Sequence, residues 1–433
     1  VASLAGDVAT SGHPVDGFVR ANLRWNVAAL GADFGFFLVA LSFASQSTIL
    51  PAFAVHLGAP NVIVGAIPAV MTLGWLLPSV FVAGHTGSLP RTLPFLLRYT
   101  IWERLPFLAL AAAAFVVADR APGLALGLLL AALLLITAVG GMLMPAWMDL
   151  IGRAVPMAIR GRFFALSSTA GAIGGLGGSV VTAWVLGAIA PPASFGVCFL
   201  LAALFMAISY AALVLVREPP GRAAGARTPL TVFLRGIPGL LRRDRNFSWF
   251  LTARALSVVG AMGSGFYTVY ALEVHRAAPA QVGHFTAFFY AGQVVGTLAF
   301  GWLADRAGHR AVIAIGMAAI AAAAVLALGA SGIEIFGAVF VLSGVHLAAH
   351  NVSSFTVLLE FAPTMEERPT YIGLGNSAIG PVAFAAPLAA GLLADVAGFR
   401  TVFALAACAG AGALAVLLAR VREPRSLMSR AAD

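Results

Sequence analysis

Lysine is absent from this 433-residue chain, and all 26 basic residues are arginine. Charge of either sign is scarce, at 10% of residues, where a soluble domain carries roughly 25%. There are only two cysteines, Cys198 and Cys408. Both fall in apolar stretches, which reads as two buried thiols rather than a disulfide framework. Alternating strands with polar inward positions are missing, which argues against a membrane β-barrel. No phosphate-cradling G-x-x-x-x-G-K-[ST] loop occurs, and no soluble domain that could hydrolyse ATP. The residues up to Arg24 include Asp7 and Asp16 and no apolar core, unlike a cleavable signal peptide. The first span is therefore expected to act as the insertion signal.

What is present is apolar surface. Hydrophobic residues make up 61% of the chain, and the mean hydropathy is +0.96. A water-soluble core cannot absorb that much apolar surface. A bilayer can, provided each backbone amide is bonded within its own helix. A crossing takes about 20 apolar residues. The hydropathy pattern places twelve spans near 26–50, 62–83, 92–117, 122–147, 163–190, 194–216, 247–272, 282–303, 311–330, 333–358, 370–396 and 399–419. The expected fold is all-α and polytopic, with two pseudo-symmetric six-helix bundles. Residues 1–25 form an N-terminal segment, 26–216 the first bundle, 217–246 a basic linker, 247–420 the second bundle and 421–433 a tail. In the linker, Leu230, Phe233, Leu234, Ile237, Leu240 and Leu241 follow helical spacing, as in an amphipathic helix lying on a membrane surface.

The positive charge has a side. Twenty arginines fall in segments that share one face: Arg20, Arg24, Arg91, Arg153, Arg160, Arg162, seven in the linker, Arg306, Arg310, Arg368, Arg420, Arg422, Arg425 and Arg430. Three, Arg120, Arg276 and Arg400, fall on the other face. This asymmetry orients both termini to the cytoplasm of a cell inner membrane. The net charge of +9 is spent on topology and does not point to nucleic acid.

The halves repeat. Val-Arg-Glu-Pro closes both, at 216–219 and 421–424. Arg160-Gly161-Arg162-Phe163 entering span five parallels Arg368-Pro369-Thr370-Tyr371 entering span eleven, and Asp149 parallels Glu360. Between spans eight and nine stands Gly301-Trp302-Leu303-Ala304-Asp305-Arg306-Ala307-Gly308-His309-Arg310. This loop resembles the signature of the major facilitator superfamily, G-x-L-A-D-R-x-G-x-[RK]. With twelve spans and a six-plus-six repeat, the resemblance covers most of the chain. It implies a transporter working by alternating access. It also implies a cytoplasmic latch in which Asp305 meets the N-terminus of span five near Arg162, and Arg306 or Arg310 pairs with Glu360. Gly301 would let two helices approach closely, and Gly308 would allow a tight turn. The chain also departs from the family pattern. The first-half loop Ala83-Gly84-His85-Thr86-Gly87-Ser88-Leu89-Pro90-Arg91 lacks the aspartate, and span four has no arginine. Gly171, Gly174, Gly175, Gly177 and Gly178 resemble a glycine-proline signature of antiporters without the proline; close helix packing explains them equally.

Polar groups inside the spans are the site candidates, because each is costly in a bilayer. Asp33 in span one can exchange a proton or hold a structural hydrogen bond. Glu103 and Arg104 in span three are adjacent, and so point about 100° apart and call for separate partners. Arg104 can bind an anionic group or pair with Asp33. Arg98 and Arg254 are expected to snorkel to the interface. His346 and His350 share a helix face with Asn351 beside them, a spacing that suits proton or substrate contact or helix packing. They lack the intervening acid of a zinc protease and any third ligand, so no metal is expected. Tyr267, Tyr270, Tyr290 and Gln293 are plausible cavity-lining groups. Gly263, Gly265, Pro381 and Pro387 are places where spans seven and eleven can bend. The expectation is a monomeric, non-enzymatic secondary transporter with no cofactor. Its partners are a small organic solute, protons and the lipid bilayer. The alternative is a non-transporting sensor or pigment or assembly factor on the same fold. Import versus export stays open.

Overall fold

The computed structural model describes residues 14–86, 89–219, 239–362 and 367–424. In chain order the first-half helices are α1 (Pro14–Ser42), α2 (Ile49–His56), α3 (Asn61–Thr86), α4 (Leu93–Tyr99), α5 (Ile101–Arg104), α6 (Pro106–Ala112), α7 (Pro122–Ala154), α8 (Met157–Ala188) and α9 (Ala193–Val214). The second half holds α10 (Arg245–Gly260), α11 (Ser264–Glu273), α12 (Pro279–Ala307), α13 (His309–Leu328), α14 (Ile335–Phe361), α15 (Arg368–Ser377), α16 (Gly380–Ala397) and α17 (Phe399–Arg420). Among the described residues, 12 helical segments are long and apolar enough to cross a membrane. The amphipathic reading of the linker falls mostly outside the described residues; only 239–243 are seen, as helix.

Several spans are broken helices, and the breaks have chemical causes. The first span ends at Ser42 rather than near 50, a correction to the hydropathy reading. Ser45, Gln46, Ser47 and Thr48 follow, and short hydroxyl side chains compete for the backbone there. The third span is divided at Thr100 and Leu105, where Pro106 withholds an amide proton and α6 restarts. The seventh carries a 3₁₀ turn at Ala261–Gly263. The eleventh restarts at Gly380, just ahead of Pro381, and Pro387 lies inside α16.

The chain forms two compact units. The first comprises residues 1–44, 73–178 and 195–227, and the second 45–72, 179–194 and 228–433. The core of the first gathers Leu30, Leu96, Leu143, Leu150, Phe163 and Leu213. Within it Gly171, Gly174 and Gly178 press α8 onto Leu38, Val39 and Phe43 of α1, so this glycine row is a packing stripe. The core of the second gathers Phe247, Phe250, Leu358, Phe361, Tyr371 and Leu417. Segment 45–72 is fastened there by Thr48 Oγ1 to Thr286 Oγ1 at 2.7 Å and by Thr268 Oγ1 donating to the Ser47 carbonyl at 2.8 Å.

The repeated Val-Arg-Glu-Pro has a job in each half. The Asn26 side chain donates to the Arg217 carbonyl at 2.9 Å and accepts from its N–H at 2.9 Å. Asn246 does the same with Arg422, at 3.1 and 2.7 Å. Trp25 stacks under the Arg217 guanidinium and Trp249 under that of Arg420. Glu218 then accepts from the N–H and hydroxyl of Thr92 and the N–H of Leu93, at 2.7, 2.9 and 3.0 Å. It caps the start of α4, where the unpaired amides and the helix dipole favour a carboxylate. Glu423 lies against Gly308 at the start of α13, the matching place in the second half. Of the two cysteines, Cys198 is buried and Cys408 is exposed, which corrects the reading of both as buried.

Candidate functional site

The first unit encloses a cavity of about 300 Å³, at the lower end of the size range of small-molecule sites. α1 contributes Asp33, Phe34 and Phe37; the broken third span Thr100, Glu103 and Arg104; α7 Gly140 and Trp147; and α3 Trp75. Gly140 and Gly141 make the wall possible. A Cβ at Gly140 would fall 2.7 Å from Glu103 Oε1 and 3.0 Å from the Trp75 ring, and one at Gly141 2.5 Å from the Trp75 carbonyl. Phe34 packs on Trp147 at 5.3 Å between ring centroids.

The polar groups form one network. Asp33, 4% exposed, accepts through Oδ1 from Arg104 Nη2 at 3.2 Å and from Ser209 Oγ at 2.7 Å. Its Oδ2 accepts from Trp147 Nε1 at 3.0 Å. Arg104 Nε donates to the Met206 carbonyl at 3.1 Å, and Nη2 also donates to Ser209 at 2.9 Å. Nη1 donates to the carbonyl and hydroxyl of Thr100 and lies 3.5 Å from Glu103 Oε2. Thr100 Oγ1 donates to the same Glu103 oxygen at 3.1 Å. The Tyr210 ring lies 5.8 Å from the guanidinium carbon.

The structure therefore brings Asp33, Glu103 and Arg104 together. Adjacent Glu103 and Arg104 do meet, contrary to the helical-wheel expectation, because α5 is one short turn with a break on either side. Every N–H of Arg104 already has an acceptor, so the guanidinium is not available to an anionic ligand. Thr100, Trp147 and Ser209 complete the site and carry no charge to mark them in sequence. The count of charges decides the chemistry. Two carboxylates share one guanidinium in a buried place, where an uncompensated charge is costly.

The other candidates lie elsewhere. Tyr267 and Tyr270 sit buried in an aromatic core with Phe340, Phe399 and Phe403. The Tyr267 hydroxyl has no hydrogen-bond partner among the described residues. Tyr290 is buried edge-on against Phe289, and Gln293 is half-buried. His346 Nδ1 meets the Gly316 carbonyl at 2.9 Å, His350 Nδ1 meets Ser354 Oγ at 2.9 Å, and Asn351 is exposed. Arg254 does not snorkel: it donates to the Gly375 carbonyl at 3.0 Å and to Asn376 Oδ1 at 3.3 Å.

In the loop motif, Gly308 has φ +83°, a conformation that suits glycine. Gly301 is exposed, and a Cβ there meets nothing within 4 Å, so it is not a close-approach glycine. Asp305 and Arg306 are exposed at the last turn of α12, with Arg306 over the Trp302 ring at 4.0 Å. Arg310 donates to the Leu417 and Leu418 carbonyls at the end of α17, at 3.2 and 3.0 Å. Asp149 pairs with Arg153 at 2.7 Å; Arg160 donates to the Val155 and Gly152 carbonyls; Arg162 is exposed and Glu360 half-buried.

Twelve helices long and apolar enough to cross a membrane, among the described residues, indicate a multi-pass membrane protein. The model of the Major Facilitator Superfamily matches residues 258–432. The solved nucleoside transporter NupG, as its D323A mutant, superposes with a TM-score of 0.70 at 13% identity, covering 92% of this chain and 100% of that one. A D-xylose–proton symporter superposes at 0.66 with 15% identity, covering 92% and 98%. A bacterial homolog of the human lysosomal transporter Spinster, inward-facing and unoccupied, superposes at 0.62 with 14% identity, covering 97% and 98%. No curated protein matches the sequence. The chain is similar in fold to these solved transporters along its length, and its second half matches the Major Facilitator Superfamily in sequence.

Proposed function

We propose that this protein is a proton-coupled secondary transporter that moves a small organic cation with an apolar body by alternating access. It lies in a cell inner membrane with both termini in the cytoplasm, as the arginine asymmetry supports. The observation that carries the reading is the unequal charge count in an aromatic cavity: Asp33 and Glu103 against Arg104 alone. Asp33 is anchored by three donors. Glu103 is held through one oxygen, at a longer distance from the guanidinium. Glu103 is then the group that releases its proton when a cationic centre arrives, and the aromatic rings of Trp75, Trp147, Phe34 and Phe37 receive the rest of the solute. Competition of proton and cation for one carboxylate couples their movements.

The test uses proteoliposomes with an imposed pH gradient and two probe cations, tetraphenylphosphonium and ethidium, with benzoate as the anionic comparison. Gradient-driven movement of a cation that disappears in Glu103→Gln and persists in Glu103→Asp is the expected result. Movement of benzoate alone, or full gradient-driven flux of a cation in Glu103→Gln, overturns the assignment.

A further inference from the structure

Residues 391–400 read Gly-Leu-Leu-Ala-Asp-Val-Ala-Gly-Phe-Arg, and residues 301–310 read Gly-Trp-Leu-Ala-Asp-Arg-Ala-Gly-His-Arg. The Gly, Leu, Ala, Asp, Ala, Gly and Arg positions coincide. The backbones coincide too. Gly308 has φ 83° and ψ 163°, Gly398 has φ 80° and ψ 164°, and each ends one helix and begins the next. The chain crosses the membrane three times between them, through α13, α14 and the α15–α16 pair. The second copy therefore lies on the membrane face opposite the first.

This second copy has a visible partner inside its own unit. Asp395 Oδ1 accepts from the Asn61 N–H at 2.9 Å and from Asn61 Nδ2 at 3.0 Å, and Oδ2 accepts from the Val62 N–H at 3.0 Å. These are the first amides of α3, which lack partners within the helix and carry the positive end of its dipole. Gly391 brings the two backbones together: a Cβ there would lie 2.5 Å from the Asn61 carbonyl and 2.7 Å from Val62 Cα. One turn further, a Cβ on Gly65 would lie 2.2 Å from the Pro387 carbonyl. The Thr48–Thr286 and Ser47–Thr268 bonds fasten the same 45–72 segment on this face. Those two are buried and neutral, whereas Asp395 is charged and exposed. Water can replace its bonds at small cost, which suits a contact that must open and close.

We propose that Asp395, with Asn61 and Gly391, is a gating residue. It latches the head of α3 against α16 on the face opposite the 301–310 loop, and its release opens that face during the transport cycle. The role in a cycle rests on the transport reading, but the latch itself is testable without any solute.

The test places Ser47→Cys in a Cys198→Ser, Cys408→Ser background and measures its labelling by a membrane-impermeant maleimide in nanodiscs. Asp395→Ala is expected to raise the labelling rate about tenfold, the factor a capping residue's loss corresponds to. Asn61→Asp, which sets a second carboxylate against Asp395, is expected to raise it likewise, and decides the matter if Asp395→Ala does not fold. Parent-like labelling in both variants, or in Asn61→Asp alone where it is the only folded one, overturns the latch. Failure of every cation to move, together with faster labelling, removes the transport reading and leaves the latch standing.

Discussion

Asp33 and Glu103 face the same guanidinium, yet their amide substitutions should move stability by different amounts. In Asp33→Asn, the Oδ2 place is read by Trp147 Nε1 and the Oδ1 place by Arg104 and Ser209. Trp and Arg only donate, so an Asn amide group faces a donor in either orientation. At 3.2 Å, the Asp33–Arg104 attraction is about 5 kcal/mol at an effective dielectric constant of about 20. Breaking a buried pair from one side costs about 3–5 kcal/mol. Glu103 retains part of the compensation, so about 3 kcal/mol is the expected loss, or about 6–12 °C in Tm for a unit of this size. In Glu103→Gln, the amide oxygen can keep the Thr100 and Arg104 contacts and the amide group can take the Oε1 place on the cavity side. The change should stay within about 1 kcal/mol of the parent. Thermal unfolding of the three purified proteins in one detergent measures both. Equal losses, or a larger loss in Glu103→Gln, would refute the claim that Asp33 is the anchored carboxylate and Glu103 the exchangeable one.

Glu218→Ala removes the α4 cap and leaves the Thr92 and Leu93 amides unmet; a loss of about 2 kcal/mol in thermal unfolding is expected, with Asn26→Ala lowering stability in the same direction. Gly140→Ala drives a Cβ into Glu103 and Trp75, so cation flux should fall several-fold while Gly301→Ala, with open space around it, leaves the melting temperature unchanged. Arg104→Met should abolish binding of a cationic probe less completely than Glu103→Gln in a tryptophan-quenching titration, because Arg104 organises the site and does not itself meet the cation.

The twelve spans and the repeat were legible because a bilayer demands long apolar runs, and nothing inside a run can mimic that signal. Asp33, Glu103 and Arg104 stood out as candidates for the converse reason, since an ionisable group in such a run is costly, and the structure places them in contact. Ser209, Thr100 and Trp147 were not, because a neutral residue in an apolar helix looks alike whether it faces lipid or a carboxylate. The burial of Tyr267 and Tyr270 among Phe336, Phe340 and Phe403 was not legible, because it depends on tertiary packing. Gly301 misled through the family pattern, since a glycine's purpose lies in its neighbours. The 391–400 copy stood in plain letters, but its meaning appeared only with Asn61 beside Asp395.

The Asn26–Arg217 and Asn246–Arg422 clamps bear on how the chain is made. Each joins the first helix of a half to the residue just beyond its last helix, 191 and 176 positions later. While the ribosome is still extending a half, its opening asparagine has only water or lipid headgroups to bond. The clamp can close only once the arginine emerges, so each half carries its own signal of completion. A chain cut between 219 and 239 leaves both clamps intact, and two separately synthesised halves should each reach a closed form before they meet.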